Sequence, residues 1–428
     1  MSKYRRYERY KDSGVEWIGE IPEEWEVSRL KDSIKSCRNG IWGDEPQGTS
    51  DDIACIRVTD FNRTNMEIEV NDLTIRNIPA SKQKMYLLKN GDLLIEKSGG
   101  GEKQPVGFVT IFNHDIPAVY ANFIARMELE EGKAYSDFYK YVHSTMYSVR
   151  LNVRSIKQTT GIQNLDTNYY FEENVVYPPI KEQKAIANFL DQKTAEIDGL
   201  IADKEKLIEL LQEKRQAIIS EAVTKGLNPN VKMKDSGIEW IGEIPEHWEV
   251  TKIKYLAFLK SGENITSEML EEQGDYPVYG GNGLRGYASS YTHEGNYVLI
   301  GRQGALCGNI NYAQGKFWAS EHAVVVTPLR DVDLTWLGEL LRSMNLNQYS
   351  ISAAQPGLSV NNVQNLFIPV PPYSEQCVIS CFLKQNIADI EKVIQDTRKQ
   401  IIKFKEYRQS LIFEAVTGKI DVRDYAVG

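Results

Sequence analysis

The sequence KDSGVEWIGEIPEEWEV, which begins at Lys11, returns at Lys234 as KDSGIEWIGEIPEHWEV, with fifteen of the seventeen positions identical. A second pair of similar stretches follows at another spacing: YPPIKEQKAIANFLDQKTAEID begins at Tyr177, and VPPYSEQCVISCFLKQNIADIE begins at Val370. The first pair is 223 residues apart and the second is 193 residues apart, so the region between the stretches is about thirty residues shorter in the second copy. The chain therefore contains two copies of one module whose middle parts have diverged.

Composition excludes several classes of protein. Hydrophobic residues make up 42% and charged residues 25% of the 428 positions, which is typical of globular proteins and not of disordered ones. No stretch reaches the ~18 consecutive apolar residues of a membrane span, and the N-terminus lacks the apolar core of a signal peptide. Five cysteines, widely spaced except for Cys377 and Cys381, do not indicate a disulfide scaffold. We therefore expect a cytoplasmic protein that does not associate with a membrane.

Each copy ends in a long helix. Between Glu182 and Thr224 there is no proline and a single glycine, and the residues are mostly good helix formers. A four–three spacing gives an apolar seam in both copies, interrupted by polar residues at the same steps. The principal seam residues, which could also contact partner subunits, are Leu190, Ile197, Ile201, Ile208, Leu211, Arg215, Leu383, Ile390, Ile394, Ile401, Phe404 and Arg408. Such helices are too long to be buried within one small domain, so we expect them to pack on each other as an antiparallel coiled coil; packing on unrelated partners is the alternative.

The remaining parts are predicted to be mixed α and β. Short apolar runs at 92–96, 106–110 and 297–301 are typical of strands, whereas 137–148 and 334–344 are more helical. The predicted fold class is α+β, with two mixed recognition-type domains separated by two long helices and related by a pseudo-two-fold repeat. The expected boundaries are 1–178 for the first domain, 179–227 for the central helix, 228–371 for the second domain and 372–428 for the C-terminal helix.

The chain resembles the specificity subunit of type I restriction–modification systems. The residues that carry the resemblance are the two WIGEIPxxW segments (Trp17 to Trp25 and Trp240 to Trp248) and the two PPxxEQxxIxxFL junctions. The resemblance covers nearly the whole chain, including the order globular–helix–globular–helix. It implies that each globular part reads one half of a bipartite DNA site and that the helices fix the gap and dock the methyltransferase subunits.

The resemblance also implies what the partners supply. Two methyltransferase subunits and two motor-nuclease subunits would complete the complex on double-stranded DNA, with S-adenosylmethionine, ATP and Mg on those subunits and no cofactor in this chain. The unlike middles predict two unlike half-sites, and hence an asymmetric target. A related system with one fused restriction–methylation partner, or a coiled-coil scaffold without a DNA role, are the alternatives.

No catalytic role is predicted for the chain. The string VPPY at Val370 is similar to the methyltransferase (Asn/Asp)-Pro-Pro-aromatic site, but a valine cannot accept a hydrogen bond from the target amine. The phosphate-binding string G-x-x-x-x-G-K-[ST] is absent from the sequence. The five histidines are scattered without zinc-ligand spacing, so no metal is expected. Trp17, Trp25, Trp240 and Trp248 are interpreted as a structural staple, with base stacking as the alternative.

Candidate DNA contacts come from glycine-rich and amide-rich strings in the middles. Arginine favours guanine and Asn or Gln favours adenine in the major groove, while lysines and loop amides bind phosphate. Some of these strings could equally be simple turns. The candidate residues are Lys97, Ser98, Gly99, Gly100, Gly101, Lys103, Gln104, Lys157, Gln158, Thr159, Tyr279, Gly280, Asn282, Arg285, Arg302, Gln303 and Gln355. Arg215 and Arg408 lie on the helix seam instead, where we expect ion pairs with Glu221 or Glu414, or with partner subunits.

Charge limits how tightly the chain alone can bind DNA. Residues 1–178 hold 23 basic and 27 acidic side chains (23 − 27 = −4), and residues 228–371 hold 10 and 15 (10 − 15 = −5). DNA affinity rests largely on the neutralisation of phosphates. The sequence therefore predicts weak binding by the isolated subunit, with the methyltransferase subunits completing the clamp.

Overall fold

A computed structural model of the chain describes residues 4–159, 161–304, 306–350 and 357–425. The chain divides into two compact units. The first unit comprises residues 1–203 and 400–428, and the second comprises residues 204–399. In the described ranges, no helix combines the length and apolarity that a bilayer span requires.

The first unit is built on a mixed sheet with the strand order β4-β13-β9-β11-β7-β6. A three-stranded sheet of order β12-β5-β8 and another of order β10-β15-β14 accompany it. The strands are β1 Tyr10–Asp12, β2 Glu20–Pro22, β3 Glu26–Arg29, β4 Ile34–Asn39, β5 Asp52–Ile56, β6 Phe61–Asn62, β7 Glu67–Ile68, β8 Thr74–Asn77, β9 Asp92–Glu96, β10 Ser98–Gly99, β11 Val109–Phe112, β12 Ala118–Tyr120, β13 Ile124–Leu129, β14 Ile156–Thr159, β15 Ile162–Leu165 and β16 Asn174–Tyr177. The helices are α1 Ala80–Tyr86, α2 Ser136–Ser148, α3 Thr167–Tyr170 and the start of the long helix α4 Ile180–Lys225.

The second unit repeats this plan with a sheet of order β20-β25-β23-β24-β21-β22. Its first four strands correspond to β4-β13-β9-β11 of the first unit, and in both units these four run antiparallel. The strands are β17 Met233–Asp235, β18 Glu243–Pro245, β19 Glu249–Lys252, β20 Ala257–Ser261, β21 Tyr276–Gly280, β22 Gly283–Ala288, β23 His293–Gly301, β24 Ile310–Ala319, β25 Ala323–Pro328 and β26 Phe367–Val370. The helices are α5 Leu334–Ser343, α6 Val360–Gln364 and the long helix α7 Tyr373–Val416.

The predicted α+β class and both long helices are confirmed. One strand assignment was wrong, because the run predicted at 106–110 forms a strand only from Val109. Gly107 has φ +103°, a left-handed conformation that breaks an extended strand, and its N–H donates to the carbonyl of Glu96 at 3.0 Å. The strand therefore starts after this bend.

The repeated tryptophans are part of the framework. The indole of Trp25 is fully buried and donates from Nε1 to Glu182 Oε2 at 2.9 Å. The equivalent Trp248 is also buried and donates to Glu375 Oε2 at 3.1 Å. In each unit the hydrogen bond joins the WIGEIPxxW segment to the first turn of the long helix. The interpretation of these two tryptophans as a staple is confirmed.

The glutamine of each EQ pair joins the start of the long helix to the domain. Gln183 donates to the carbonyl of the first proline of its PPxxEQ string, and its Oε1 accepts from the N–H of Tyr135, both at 2.9 Å. Gln376 makes the same two bonds, with Asp333 in the place of Tyr135, again at 2.9 Å. Because each glutamine is buried and satisfied at both ends, an identical residue is needed in both copies.

The long helices pack antiparallel within each unit. In the first unit, Asp198 of α4 contacts Arg408 of α7 at 2.9 Å. Lys193, which precedes Asp198 on α4, lies 5.2 Å from the ring of Tyr425, which follows the end of α7, so the two helices run in opposite directions. In the second unit, Arg215 contacts Glu391 at 3.6 Å. The seam residues are buried or half-buried along both helices: Leu190, Ile197, Ile201, Ile208, Leu211, Leu383, Ile390, Ile394, Ile401 and Phe404.

The expected ion pairs of the two seam arginines with Glu221 or Glu414 were wrong, whereas contact of these arginines with partner subunits stays a prediction. Glu221 and Glu414 lie six residues after Arg215 and Arg408 on the same helices, outside the three- or four-residue spacing at which helical side chains meet. Both arginines instead reach an acid on the facing helix. Those two acids occupy the same place in the repeat, 193 residues apart, so the two ion pairs are related by the pseudo-two-fold repeat.

Candidate nucleic-acid interface

Two of the predicted DNA-contact strings of the first unit are neighbours in the fold. Strand β10, at the start of the glycine-rich loop 98–104, pairs with β15, which in turn pairs with β14 at the KQTTG string. Ser98 donates from its hydroxyl to Asn164 Oδ1 at 2.6 Å across the first of these pairings. Two strings separated by about sixty residues in the sequence thus form one surface.

The glycines of this loop are required by its geometry. Gly99 and Gly100 have φ of +119° and +61°, and a Cβ on Gly100 would lie 2.8 Å from the backbone nitrogen of Val106. The turn closes with a bond from the N–H of Gly101 to the carbonyl of Gln104 at 2.9 Å. The tight turn leaves Lys103 and Gln104 exposed at the mouth of an open cleft of about 890 Å³.

The inner wall of this cleft carries an ion pair. Glu96 is 2% exposed, and Arg63 Nη2 lies 2.8 Å from its Oε2. Burial raises the pKa of Glu96, and the hydrogen bond and charge of Arg63 oppose that rise. The guanidinium of Arg63 also lies over the ring of Phe108 at 4.7 Å. Because these charges offset one another, Lys103 is the remaining basic residue of the lining, and it lies next to the exposed acid Glu102.

The predicted contacts of the KQTTG string have unequal access. Lys157 Nζ lies 2.6 Å from Asp166 Oδ2 and holds the pKa of that carboxyl below its usual value. Its charge is thus partly compensated within the chain, although its side chain remains 75% exposed. Gln158 is exposed, and Thr159 is the last residue of β14.

In the second unit, the string YGGNGLRG forms the β21–β22 hairpin. Asn282 lies in its turn and accepts a hydrogen bond from Asn309 Nδ2 at 3.1 Å, and Arg285 is exposed on the returning strand. Tyr279 packs edge-to-face on the ring of Phe317 at 5.6 Å. Tyr279 and the buried Gly280 therefore support the hairpin, whereas Asn282 and Arg285 are open to a ligand.

The GRQG string lies against this hairpin. The carbonyl oxygen of Gly281 reaches so close to Gly301 that any Cβ there would meet it at 2.1 Å, which explains the glycine. Arg302 Nη1 donates to Ser261 Oγ at 3.2 Å, and the exposed Gln303 forms a β-bridge with Gly357. Gln355 lies outside the described residues.

Lys97 and Arg302 occupy the same position in the two units. Each N–H donates at 2.8 Å to the residue just before the next strand of the sheet, Phe123 and His322 respectively. Each carbonyl accepts from a leucine of the repeat, Leu165 at 2.8 Å and Leu358 at 2.9 Å.

The side chains of Lys97 and Arg302 are also held by equivalent hydrogen bonds. Lys97 Nζ donates to Asn39 Oδ1 at 2.9 Å, and Arg302 donates to Ser261. Both acceptors are the last residues of the first strands of the equivalent sheets, β4 and β20. A lysine in one unit and an arginine in the other, at one repeated position, are suited to contact phosphates or base edges with different preferences.

Sequence reasoning missed several residues of these surfaces. Phe123, which is 50% exposed, and His322 are distant in sequence from Lys97 and Arg302 but accept hydrogen bonds from their backbone N–H groups. Asn309, just before β24, donates a hydrogen bond to Asn282. The sequence signal is that the strings YANF (120–123) and ASEH (319–322) directly precede the equivalent strands β13 and β25. The divergence of the middles hides that correspondence until the sheets are compared.

Comparison with known proteins identifies the family. The model of the type I restriction modification DNA specificity domain matches residues 22–210 and 245–400. The chain belongs to this family. Its function is accordingly DNA sequence recognition as the specificity subunit of a type I restriction–modification enzyme. The two matched regions cover both copies of the internal repeat.

Several relatives carry the same description. The chain is 44% identical over 129 residues to the Type I restriction enzyme EcoprrI specificity subunit of Escherichia coli, a match that covers 29% of this chain and 32% of that relative. It is 24% identical to the MjaVIII specificity subunit of Methanocaldococcus jannaschii over 94% of this chain and 95% of that relative. The match to the EcoKI specificity subunit of Escherichia coli K12 has 21% identity over 94% and 90% of the two chains.

Solved structures share the fold. A chain from the structure described as "Structural basis underlying complex assembly and conformational transition of the type I R-M system" superposes with a TM-score of 0.68 at 14% identity, covering 92% of this chain and 98% of that chain. The HsdS subunit from Thermoanaerobacter tengcongensis gives a TM-score of 0.56 at 14% identity, over 94% and 98%. At this identity, the likeness is one of fold.

Proposed function

We propose that each unit of this specificity subunit reads one half of an asymmetric bipartite DNA site. The observation that carries the proposal is the shared position of Lys97 and Arg302, which are held by the same backbone bonds but surrounded by unlike loops. The equivalent position of the two side chains would allow both units to dock on DNA in the same way. The different loops around them would allow the two units to read different base sequences. We assign the recognition domains to residues 1–178 and 228–371.

The contacts fall into two groups in this proposal. Loop 98–104, with Lys97 and the exposed Gln158, serves the first half-site. Asn282, Arg285, Arg302 and Gln303 serve the second. The guanidinium and amide groups of the second set match the donor and acceptor patterns of guanine and adenine in the major groove.

The helix segments 179–227 and 372–428 would set the spacer and dock the partner subunits. α4 and α7 run for 46 and 44 residues without interruption, which supports a rigid connection. Half-sites that are read from one face of a duplex lie one helical turn, about 34 Å, or a multiple of it apart. A rigid rod between the two recognition domains would therefore fix the gap between the half-sites. Apolar side chains are exposed along both helices and suit a protein interface: Leu200, Leu207, Leu210, Val378, Val393 and Ile402.

The chemistry would belong to the partners. Two methyltransferase subunits with S-adenosylmethionine would methylate adenine, and two motor-nuclease subunits with ATP and Mg would cut, in the cytoplasm where the DNA lies. This chain would position them without a catalytic residue of its own. With net charges of −4 and −5 in residues 1–178 and 228–371, we expect tight DNA binding only in the assembled complex.

A methylation experiment tests this proposal. Host DNA is sequenced by a single-molecule method that detects methylated bases, with the chain and its methyltransferase partner expressed together and with the partner alone. We expect a bipartite, asymmetric motif that is methylated only when the chain is present. A methylation pattern independent of the chain, although the two proteins co-purify, would contradict the proposal.

A further inference from the structure

The two copies of one repeated phenylalanine differ in their surroundings. Phe189 and Phe382 occupy the same place in the PPxxEQxxIxxFL strings, near the start of α4 and α7. Phe189 is 1% exposed in the first unit, whereas Phe382 is 39% exposed in the second. An aromatic ring kept in both copies but covered in one raises the question of what covers the other.

In the first unit, two terminal segments cover the ring. Tyr4, from the segment 4–10, meets the ring of Phe189 edge-on at 5.3 Å. Tyr425, from the segment 417–425, meets it from another side at 4.8 Å. The second segment is further anchored by Lys419, whose Nζ donates to the carbonyl of Ile18 at 2.9 Å.

In the second unit, one linker stands in for both segments. Residues 226–233 follow the end of α4 as 417–425 follow α7, and they precede the KDSG string as 4–10 do. Gly226 and Gly418 are equivalent, since both have a positive φ and lie against the buried tryptophan of their own unit, so Leu227 takes the place of Lys419 and offers no basic group.

An open groove of about 510 Å³ lies beside Phe382. We call it the Phe382 groove. Leu227 and Met233 form an apolar part of its wall. Its lining has two acidic residues, Glu221 and Glu243, and one basic residue, Lys225. Its size is within the about 300–1,000 Å³ typical of binding pockets.

We propose that the Phe382 groove binds a segment of the methyltransferase subunit that presents an aromatic side chain close to a basic one. The inference rests on the proposed docking of that subunit to the helices. The first unit provides the template, because there an aromatic ring covers the phenylalanine and a lysine six residues earlier caps backbone carbonyls. The acidic groups of the groove suit a basic side chain, and its apolar wall suits an aromatic ring.

A matched pair of variants of the full chain tests the proposal. The dissociation constant of the complex with the methyltransferase subunit is measured by sedimentation for the wild type, Phe382→Ala and Phe367→Ala. Phe367 is a 51% exposed phenylalanine on β26, away from the groove lining, so it controls for the loss of a surface ring. We expect Phe382→Ala to weaken the complex about tenfold, as for a buried aromatic anchor, and Phe367→Ala to leave it within about twofold.

The outcomes separate the inference from the proposed function. Equal dissociation constants for wild type and Phe382→Ala would overturn the inference while leaving the docking of the subunit intact. A loss confined to binding of the motor-nuclease subunit would also overturn it, because the occupant would then be another protein. Absence of any complex with the wild type would overturn the docking itself. Unchanged thermal unfolding of Phe382→Ala excludes misfolding as the cause of a loss.

A peptide probe tests the groove without a partner protein. The labelled peptide TGKIDVRDY, which is the sequence 417–425, carries the lysine and tyrosine of the natural template. We expect saturable binding to the full chain, at least fivefold weaker for the Phe382→Ala chain and for a peptide with Lys419→Ala and Tyr425→Ala. Binding that is absent, or that is insensitive to Phe382→Ala, would contradict the proposal.

Discussion

The two units of the molecule share a framework and differ in what it carries. The framework bonds are repeated almost bond for bond: Trp25 to Glu182 in the first unit, and Trp248 to Glu375 in the second. The segments between these anchors differ, since the first unit has strands β5 to β8 and helix α1 between β4 and β9, where the second unit has the β21–β22 hairpin between β20 and β23. Residues kept identical in both copies satisfy buried polar groups, whereas residues free to differ lie where a ligand can reach them.

The largest expected effect tests whether the framework is the same in both units. Trp25→Ala and Trp248→Ala should each lower the free energy of unfolding of their own unit by about 3–5 kcal/mol, because each removes a buried indole and one of the hydrogen bonds to a carboxylate of the long helix. Denaturant titration followed by hydrogen exchange would assign the loss to one unit. A loss of less than about 1 kcal/mol in either unit would break the equivalence.

The seam arginines sharpen the comparison, because their ion pairs are equivalent but unequally buried. The side chain of Arg408 is 12% exposed and also donates to the carbonyl of Thr64 at 2.6 Å, whereas that of Arg215 is 29% exposed with a longer ion pair. Arg408→Ala should cost about 1.5–3 kcal/mol and Arg215→Ala about 0.5 kcal/mol. Chemical denaturation measures the loss of unfolding free energy in each variant. Equal losses would show that the contribution of these ion pairs does not depend on their burial.

A buried histidine should make the first unit more sensitive to acid than the second. His143 of α2 is completely buried, and this lowers its pKa to about 3. The corresponding position of α5, counted from the residues that bind the EQ glutamines, is the buried Leu341. The unfolded chain takes up a proton near pH 6.5 while the folded one does not, so stability falls as the pH drops below 6.5, by about 2 kcal/mol at pH 5.

His143→Leu should remove that part of the pH dependence. At pH 7 the variant should lose at most about 1–2 kcal/mol, because the hydroxyl of Tyr170 loses its 2.9 Å contact with the imidazole. Unfolding midpoints measured between pH 7 and pH 5 provide the check. An unchanged slope in the variant would mean that other groups control the response to acid.

Much of the fold could be predicted from the sequence, because repeated strings and helical periodicity report local physics. The EQ pairs and the proline pairs mark where each long helix begins, and the spacing of seam residues such as Leu190 and Ile197 predicts the helix itself from adjacent sequence. The partners of the seam arginines were missed because Asp198 and Glu391 are on the facing helix, and facing residues cannot be read from one helix alone.

The candidate interface was harder to predict, because it is assembled from loops distant in sequence. Lys97 and Arg302 were chosen from unrelated strings, and their common position emerges only from backbone bonds to Phe123 and His322. Asn309 was missed for the same reason, as it reaches Asn282 from the segment just before β24. Residue type suggested which side chains can bind DNA, but strand pairing decides which of them lie together.

The division of labour between the two units can be tested most directly by methylation sequencing of point variants. Host DNA is analysed from cells that express the methyltransferase partner with the wild-type chain, with Lys97→Ala or with Arg302→Ala. We expect Lys97→Ala to weaken or relax only one half of the methylated motif and Arg302→Ala only the other, with the gap unchanged. If both variants altered the same half, or if neither altered the motif, the assignment of one half-site to each unit would be contradicted.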